Sequence, residues 1–167
     1  MQLNTIDKAD VRGKRVLLRV DFNVSTFAGK ITDDFRIKHA LPTIEYLLEN
    51  EAKVIIASHF GSPPEDSMNN IKEREKFSMR PIAECLAQDL RYPVEFVSDC
   101  VGEEAEKAVE RMKTGDILVL ENLRFHQGEE ANDSNFAAEL AKLADVYVND
   151  AFSVSHRSHA SVSAIAS

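Results

Sequence analysis

The chain has 167 residues, of which 44% are hydrophobic and 29% are charged, as is ordinary for one globular domain with its own core. Its formal net charge of −8 argues against a nucleic-acid partner, because nucleic-acid binding depends on Lys and Arg side chains that neutralise phosphates. The longest apolar runs, such as Val54–Ala57 and Ile117–Leu120, are too short to span a bilayer, so we expect no membrane partner.

The cysteine pattern and the first residues bear on the compartment. Cys85 and Cys100 lack metal-ligand spacing, and Met1–Asp10 has no hydrophobic signal core. We therefore expect reduced thiols and a cytoplasmic location.

Apolar runs separated by amphipathic segments predict an alternating order of strands and helices. The predicted strands are rich in Val, Ile and Leu without alternation, which is typical of strands buried on both faces. They are Arg15–Val20, Lys53–Ala57, Val94–Val97, Asp116–Leu120 and Asp145–Val148. Strands that alternate with helices predict βαβ units, and right-handed crossovers then place helices on both faces. The fold class is therefore α/β, a three-layer Rossmann-like domain with a central parallel sheet.

Helical stripes lie between these runs. Ile44, Leu47 and Leu48 share a face of a helix ending near Asn50, with Pro42 in its first turn. A second stripe is Ile82, Leu86 and Leu90, and Ser78 and Pro81 mark the start of its helix. A third is Ala105, Ala108, Val109 and Met112, whose helix stops before Gly115. A fourth is Phe136, Leu140 and Leu143, with Asp133 or Ser134 as the capping residue.

Two further segments are irregular by sequence. Phe60–Phe77 is polar and predicted to be a long loop of functional importance or mobility. Ser158–Ser167 is rich in Ala and Ser and carries no capping signal, so we expect it to be cut inside or just before a helix, as in a fragment.

In an open parallel sheet, ligands bind outside the carboxyl ends of the strands. Arg and His dominate the residues that follow the predicted strands, although the chain is acidic overall. They are Arg19, Asp21, Asn23 and Arg36; Ser58 and His59; Glu121, Asn122, Arg124 and His126; and Asn149, Asp150, His156, Arg157 and His159. This convergence favours an anion site.

Plainer interpretations of the same residues stay open. Any one Arg or His here could be a solvated surface residue, and Asp21 and Asp150 could be caps or turn residues. A metal site is less favoured, because no pair has tight ligand spacing on one element. No glycine-rich phosphate loop follows any predicted strand, so the chain should bind no nucleotide by such a loop.

Longer motifs make the pattern specific. Arg19–Val24, Ser58–Gly61, Glu121–His126, Tyr147–Phe152 and His156–Ser161 occur in the order and spacing of the phosphoglycerate kinase family, which the whole chain resembles. The resemblance implies that residues 1–167 are the N-terminal, substrate-binding domain of a two-domain kinase whose C-terminal nucleotide-binding domain is absent. The implied reaction is reversible phosphoryl transfer between 1,3-bisphosphoglycerate and ADP, giving 3-phosphoglycerate and ATP.

The resemblance also implies roles for residues. Asp21 and Asn23 would bond the glycerate hydroxyl and carboxylate, and Arg36, His59, Arg124 and Arg157 would grip phosphate and carboxylate. Arg36 would also stabilise the transferring group as the catalytic residue. Phe22, Phe60, Gly61 and Ser62 complete the implied contacts, and Arg19 and His156 would line the same basic patch. Mg-ATP or Mg-ADP is implied only for the full-length enzyme, and no metal site is implied here.

Two departures from the family pattern concern the same patch. Ser62 stands where arginine is usual, and Ser153 stands where glycine is common. One charge-assisted hydrogen bond contributes about 1.5–3 kcal/mol, so the Ser62 departure could weaken anion binding roughly ten- to a hundredfold. We expect a milder effect at Ser153.

Three functional hypotheses follow: one half of a kinase, a stand-alone module that binds 3-phosphoglycerate without turnover, and a structural fragment with an incomplete site. The lack of a glycine loop disfavours catalysis by the chain alone.

Overall fold

The computed structural model describes residues 5–167. A five-stranded sheet with strand order β5–β6–β4–β1–β7 forms its centre, and every neighbouring pair is parallel. A separate antiparallel hairpin pairs β2 with β3. The strands are β1 Arg15–Arg19, β2 Ser25–Phe27, β3 Lys30–Asp33, β4 Lys53–Ala57, β5 Glu95–Phe96, β6 Ile117–Val119 and β7 Val146–Asn149. All five strands predicted from sequence are confirmed, and they form the central sheet.

The helices are α1 Phe35–Glu49, α2 Ile71–Phe77, α3 Arg80–Leu90, α4 Glu103–Arg111, α5 Gln127–Glu130 and α6 Ser134–Ala141. The predicted caps of the later helices are present. The side chain of Asp133 accepts a hydrogen bond from the backbone N–H of Phe136, and a proline lies in the first turn of α3. Both features start a helix where the backbone N–H groups have no partner within the helix.

Two cores, one on each face of the sheet, confirm the three-layer arrangement. Leu18 and Ile56 pack with residues of α1 and α3, such as Ile44 and Leu86. Their strand neighbours Leu17 and Ile55 instead join residues of α4 and α6. Successive side chains of a strand point to opposite faces, so strands covered on both sides must be apolar throughout.

The structure corrects the sequence predictions in three places. Pro42 lies in the middle of α1 rather than in its first turn. It is tolerated there on an exposed position, where solvent can reach the carbonyl that loses its helical donor. The predicted loop 60–77 contains α2, which buries no residue and therefore shows no apolar stripe.

The third correction is the β2–β3 hairpin, which the sequence analysis missed. Ala28 and Gly29 both have positive φ, at 50° and 75°, as a tight two-residue hairpin turn requires. The strands are short and largely exposed, so burial left no strong pattern. None of the helices in residues 5–167 combines the length and apolar character needed to cross a membrane.

Candidate functional site

Asp21 anchors one end of the site, just beyond the carboxyl end of β1. Its Oδ2 accepts hydrogen bonds from Arg36, in the first turn of α1, and from the Ser153 hydroxyl. Its Oδ1 accepts one from the backbone N–H of Asn23 at 3.1 Å. Burial alone would raise the pKa of Asp21, but the hydrogen bonds from Ser153, Asn23 and Arg36 outweigh it and lower that pKa. Asp21 is therefore an ionised carboxylate that holds Arg36 at the site.

A second set of hydrogen bonds joins the turns after β1, β4 and β6. The side-chain oxygen of Asn23 accepts from the backbone N–H of Gly61 at 2.9 Å. The carbonyl of Gly61 in turn accepts from Nη1 of Arg124 at 2.8 Å. Arg36 and Arg124, which lie far apart in the sequence, are thus linked through Asp21, Asn23 and Gly61 at one edge of the sheet.

Asn122 fixes the turn around Phe60 from inside. Its Oδ1 accepts from the backbone N–H of Phe60 at 3.1 Å and of Arg124 at 3.0 Å. Its Nδ2 donates to the carbonyls of Phe60 at 2.6 Å and Phe77 at 2.9 Å. A fully buried amide that uses both ends in this way sets the backbone geometry of two neighbouring turns.

Arg124 is a largely enclosed cation at this edge of the sheet. Its side chain is 6% exposed, and its Nε is the buried side-chain nitrogen that finds no hydrogen-bond partner in residues 5–167. Glu130 Oε1 lies 3.7 Å from this nitrogen, beyond hydrogen-bonding distance. Ser62 approaches the guanidinium only loosely, with 3.4 Å between Nη1 and Oγ. A buried donor without an acceptor is costly, so this group is prepared for an added acceptor.

His59 and Arg19 lie below the surface of the site. His59 is 3% exposed and Arg19 is 0% exposed, with 3.1 Å between Arg19 Nη2 and His59 Nδ1. Burial, followed by the positive charges of Arg19 and Arg124, lowers the pKa of His59 to about 3. His59 is therefore neutral at physiological pH. Arg19, predicted to line the patch, is instead enclosed beneath it.

Phe22 was predicted as a substrate contact, but its ring belongs to the core and is 0% exposed. Its backbone N–H donates to Ser58 Oγ at 2.9 Å, and its carbonyl accepts from Val24 N–H at 2.8 Å. Phe22 thus shapes the turn that carries Asp21 and Asn23.

The residues after β7 complete the site on its exposed side. His156 and Arg157 are both exposed, and the Arg157 side chain makes no ion pair or hydrogen bond with the described residues. His159 is half-buried. Burial lowers the pKa of His159, and the positive charges of Arg124 and Arg157 act in the same direction. This segment therefore brings an unengaged guanidinium to the region that His59 and Arg124 border.

Sequence reasoning missed several residues of this region. A cleft of about 560 Å³ is lined by Asp21, Arg36, Asp150 and Ser153, which the sequence analysis named, and by Phe35, His39, Ala40 and Phe152, which it did not name as site residues. Glu129 and Ser161 lie deeper and hold Arg19. Glu129 is followed directly by the exposed Glu130 in the sequence, and only its complete burial distinguishes it.

Two other groups bring possible metal-ligand atoms together outside this site. Asp99, Cys100 and His126 place theirs within 4.8 Å of one another, as do Asp34, Cys85 and Asp89. In the first group, His126 Nε2 lies 2.7 Å from Asp99 Oδ1, and the ring of His126 stacks on Phe136. Each group combines two residues close in sequence with one that is distant, His126 in the first group and Asp34 in the second. Ligand spacing on one element could therefore not reveal either complete group.

The chain was compared with known families and with curated relatives. The family model described as "Phosphoglycerate kinase" matches residues 6–167. The phosphoglycerate kinase of Wolbachia sp. subsp. Drosophila simulans is 52% identical over 165 residues, which cover 99% of this chain and 40% of the relative. That of Coprothermobacter proteolyticus is 52% identical over 166 residues, covering 99% and 41%. The chain thus spans about 40% of the length of these relatives.

Solved structures give the same result for the fold. The crystal structure of phosphoglycerate kinase from Pyrococcus horikoshii OT3 matches with a TM-score of 0.87 and 34% identity, covering 98% of this chain and 40% of that one. The structure of phosphoglycerate kinase from Coxiella burnetii matches with a TM-score of 0.83 and 35% identity, covering 96% and 38%. The sequence motifs, the parallel sheet and these matches agree, and the chain belongs to the phosphoglycerate kinase family.

Proposed function

We propose that this chain is the N-terminal, triose-binding half of a phosphoglycerate kinase, and that it binds 3-phosphoglycerate or 1,3-bisphosphoglycerate at the carboxyl edge of its sheet. Its place in the enzyme is the reversible, glycolytic phosphoryl transfer between 1,3-bisphosphoglycerate and ADP. We place the enzyme in the cytoplasm.

The observation that carries this proposal is the continuous set of hydrogen bonds from Arg36 through Asp21, Asn23 and Gly61 to Arg124. It holds two cations on a common frame, although they come from opposite parts of the sequence. Positioned guanidinium groups suit phosphate and carboxylate, because their planar forks donate paired hydrogen bonds. A doubly negative three-carbon acid presents both kinds of group.

The polar groups left free also support an anionic ligand. Arg124 Nε lacks an acceptor, and Arg157 is exposed with no counter-charge among the described residues. Arg36 is 46% exposed, so one side of its guanidinium can meet a ligand while Asp21 holds the other. Such a site would bind an anion without large rearrangement.

For the reaction, we assign the stabilising role to Arg36. Phosphoryl transfer spreads negative charge over equatorial oxygens, so catalysis depends mainly on positioning and on cations. Arg36 lines the open cleft, whereas Arg124 is enclosed by protein. No nucleophile from the protein is required.

Residues 5–167 do not fit a nucleotide phosphate loop. Gly61 lies in the turn after β4, and a Cβ at this position would lie 2.7 Å from the Phe77 ring. Its surroundings are therefore already filled by a side chain. We assign Mg-ATP or Mg-ADP to the C-terminal half of the enzyme, the expected partner, and expect no kinase activity from this chain alone.

A titration with 3-phosphoglycerate, followed by amide chemical shifts of the labelled chain, tests the binding proposal. We expect shifts at Arg36, His59, Arg124 and Arg157. Arg124→Gln should weaken binding about ten- to a hundredfold, because a charged donor is lost. Arg111→Gln is the matched control, since Arg111 is an exposed arginine paired with Glu95. If the amide chemical shifts of these residues do not change at millimolar 3-phosphoglycerate, the binding proposal is wrong and the structural-fragment hypothesis is favoured.

Enzyme assays separate the kinase half from an independent module. The purified chain should form no ATP from 1,3-bisphosphoglycerate and ADP, while adding the separately produced C-terminal half should restore turnover. ATP formation by the chain alone would contradict the proposal. Ligand binding without any restoration would favour a stand-alone binding module.

A further inference from the structure

Arg19 is a fully buried cation whose three guanidinium nitrogens are all engaged. Nε donates to Ser161 Oγ at 2.8 Å, and Nη1 donates to the carbonyl of Val20. Nη2 lies 3.1 Å from His59 Nδ1. A side chain held at each nitrogen has little freedom to turn, so its geometry is imposed on every neighbour that it contacts.

The Arg19–His59 contact determines where the imidazole carries its proton. A guanidinium can only donate hydrogen bonds, whereas each nitrogen of a neutral imidazole either donates or accepts. Because Arg19 donates, His59 Nδ1 must be the acceptor and cannot carry the proton. The proton of neutral His59 then belongs on Nε2.

The other ring nitrogen remains available. Nε2 makes no hydrogen bond within residues 5–167, and it is not among the buried atoms that lack a partner there. It therefore retains contact with solvent, although the residue as a whole is only 3% exposed. Arg124 lies close enough for its charge to act on the same ring.

We propose that Arg19 is a positioning residue: its buried guanidinium fixes His59 as the neutral tautomer with the proton on Nε2, so that His59 offers the triose site a fixed hydrogen-bond donor rather than a positive charge.

Glu129 is the group that keeps Arg19 in place. It is completely buried, lies 3.9 Å from Arg19 Nη2, and accepts hydrogen bonds from the backbone N–H and the hydroxyl of Ser161. Ser161 also receives the Nε–H of Arg19, so the pair is connected through one hydroxyl as well as by charge. A buried cation without such a partner would carry a large desolvation penalty.

The charged and titratable groups around His59 oppose its protonation on balance. Burial and the positive charges of Arg19 and Arg124 disfavour imidazolium, and His159 acts in the same direction. Among the main contributions, Asp21 favours it, and that carboxylate already accepts from Arg36 and Ser153. His59 should thus stay neutral throughout the physiological range.

The consequence for ligand binding rests on the proposed function. The positive charge of the site would come from Arg36, Arg124 and Arg157 alone. His59 would contribute one directed N–H, so affinity for 3-phosphoglycerate should not fall through titration of His59 between about pH 5 and pH 8. The tautomer of His59 can be measured without any ligand. A wrong tautomer prediction is therefore distinguishable from a failure of the chain to bind 3-phosphoglycerate.

Long-range proton–nitrogen correlation spectra of the nitrogen-15-labelled chain report the tautomer of each of its 5 histidines. The His59 signals are identified as those missing from His59→Gln. We expect Nε2 with the shift of a protonated nitrogen, Nδ1 with that of an acceptor, and no change between about pH 5 and pH 8. A proton on Nδ1, or titration near the ordinary pKa, would overturn the proposal.

A double variant tests the cause. Arg19→Met with Glu129→Gln removes both charges together, which avoids leaving one buried charge alone. His59 should then lose its single tautomer and titrate closer to the ordinary range. Tyr147→Phe is the control, because it removes a 2.6 Å hydrogen bond to the Ser161 carbonyl without touching His59. A folded double variant with the wild-type tautomer and titration would disprove the role of Arg19. If the double variant does not fold, the tautomer of His59 in the wild-type chain is the test: a proton on Nε2 supports the proposal, and a proton on Nδ1 overturns it.

Discussion

Ser153 donates its hydroxyl hydrogen to Oδ2 of Asp21, the carboxylate oxygen that also receives Arg36. This contact joins the turn after β7 to the turn after β1, and a glycine at position 153 could not make it. Ser153 therefore places an additional restraint on the residues that hold Arg36.

Ser153→Ala should raise the pKa of Asp21 towards its ordinary value of 3.8, because the largest hydrogen bond that lowers it is lost while burial remains. The expected loss of stability at neutral pH is about 0.5–1.5 kcal/mol. Since the folded pKa is lowered, this loss should shrink as the pH falls through that pKa. Carboxyl carbon NMR titration and urea unfolding measure the two effects.

Ser155→Ala is the control for that prediction. Ser155 Oγ donates to the Phe152 carbonyl at 2.7 Å within the same turn and does not contact Asp21. An unchanged Asp21 titration in Ser153→Ala, or an equal shift in Ser155→Ala, would contradict the assigned hydrogen bond.

Gly61→Ala should destabilise the chain more than Gly29→Ala. Both glycines have positive φ, at +62° and +75°, so both substitutions carry the left-handed strain of about 1–2 kcal/mol. Only at Gly61 would the new Cβ also meet the Phe77 ring, at 2.7 Å, whereas nothing lies within 4 Å at Gly29. Urea unfolding should show an additional cost of about 1–3 kcal/mol for Gly61→Ala, and equal costs would show that the Phe77 contact relaxes freely.

Ser62→Arg should tighten binding of 3-phosphoglycerate by roughly tenfold to a hundredfold, because it adds a charged donor beside Arg124. Calorimetric titration at fixed ionic strength measures the change. Ser62→Gln, which adds length without charge, should leave the affinity within about threefold, since only a neutral donor is added at an exposed site. An equal gain in both variants would argue that side-chain length, rather than charge, limits the site.

Asp145 gives a pH-dependent prediction about the sheet itself. The Arg15 guanidinium, followed by the Arg15 backbone N–H, donates hydrogen bonds that lower the pKa of Asp145 to about 2 from an ordinary 3.8. The lowered folded-state pKa means that this stabilisation is complete above the ordinary pKa and is lost as the pH falls through about 2.

Asp145→Asn should therefore lower stability at neutral pH by less than about 1 kcal/mol, because the pair is partly exposed. It should also remove part of the acid dependence between these two pKa values. Urea midpoints measured across that range provide the test. Glu103→Gln is the comparison, because Glu103 pairs with Lys107 at an exposed helix position. Identical acid profiles for wild type and Asp145→Asn would show that the Arg15 contact does not persist in solution.

The apolar pattern by itself determined the central sheet and the helices that bury a stripe. Strands such as Lys53–Ala57 are continuous apolar runs because helices cover both faces of the sheet. Burial on both faces therefore requires apolar residues that can be recognised in the sequence. Helix α2 and the β2–β3 hairpin were missed for the opposite reason, since they bury little and their polar residues fit a loop equally well.

Residue type also determined which segments could supply cations to the strand ends, because parallel strands share one carboxyl edge. The tertiary structure alone decided what each cation does there. Arg19 and Arg124 are the same residue type near the ends of β1 and β6, which both pair with β4, yet Arg19 is enclosed with Glu129 while Arg124 keeps an unpartnered Nε. The difference between the two arginines depends on desolvation and on distant partners. Ser161, which accepts a hydrogen bond from Arg19, is 142 residues away in the sequence, and no local pattern contains that information.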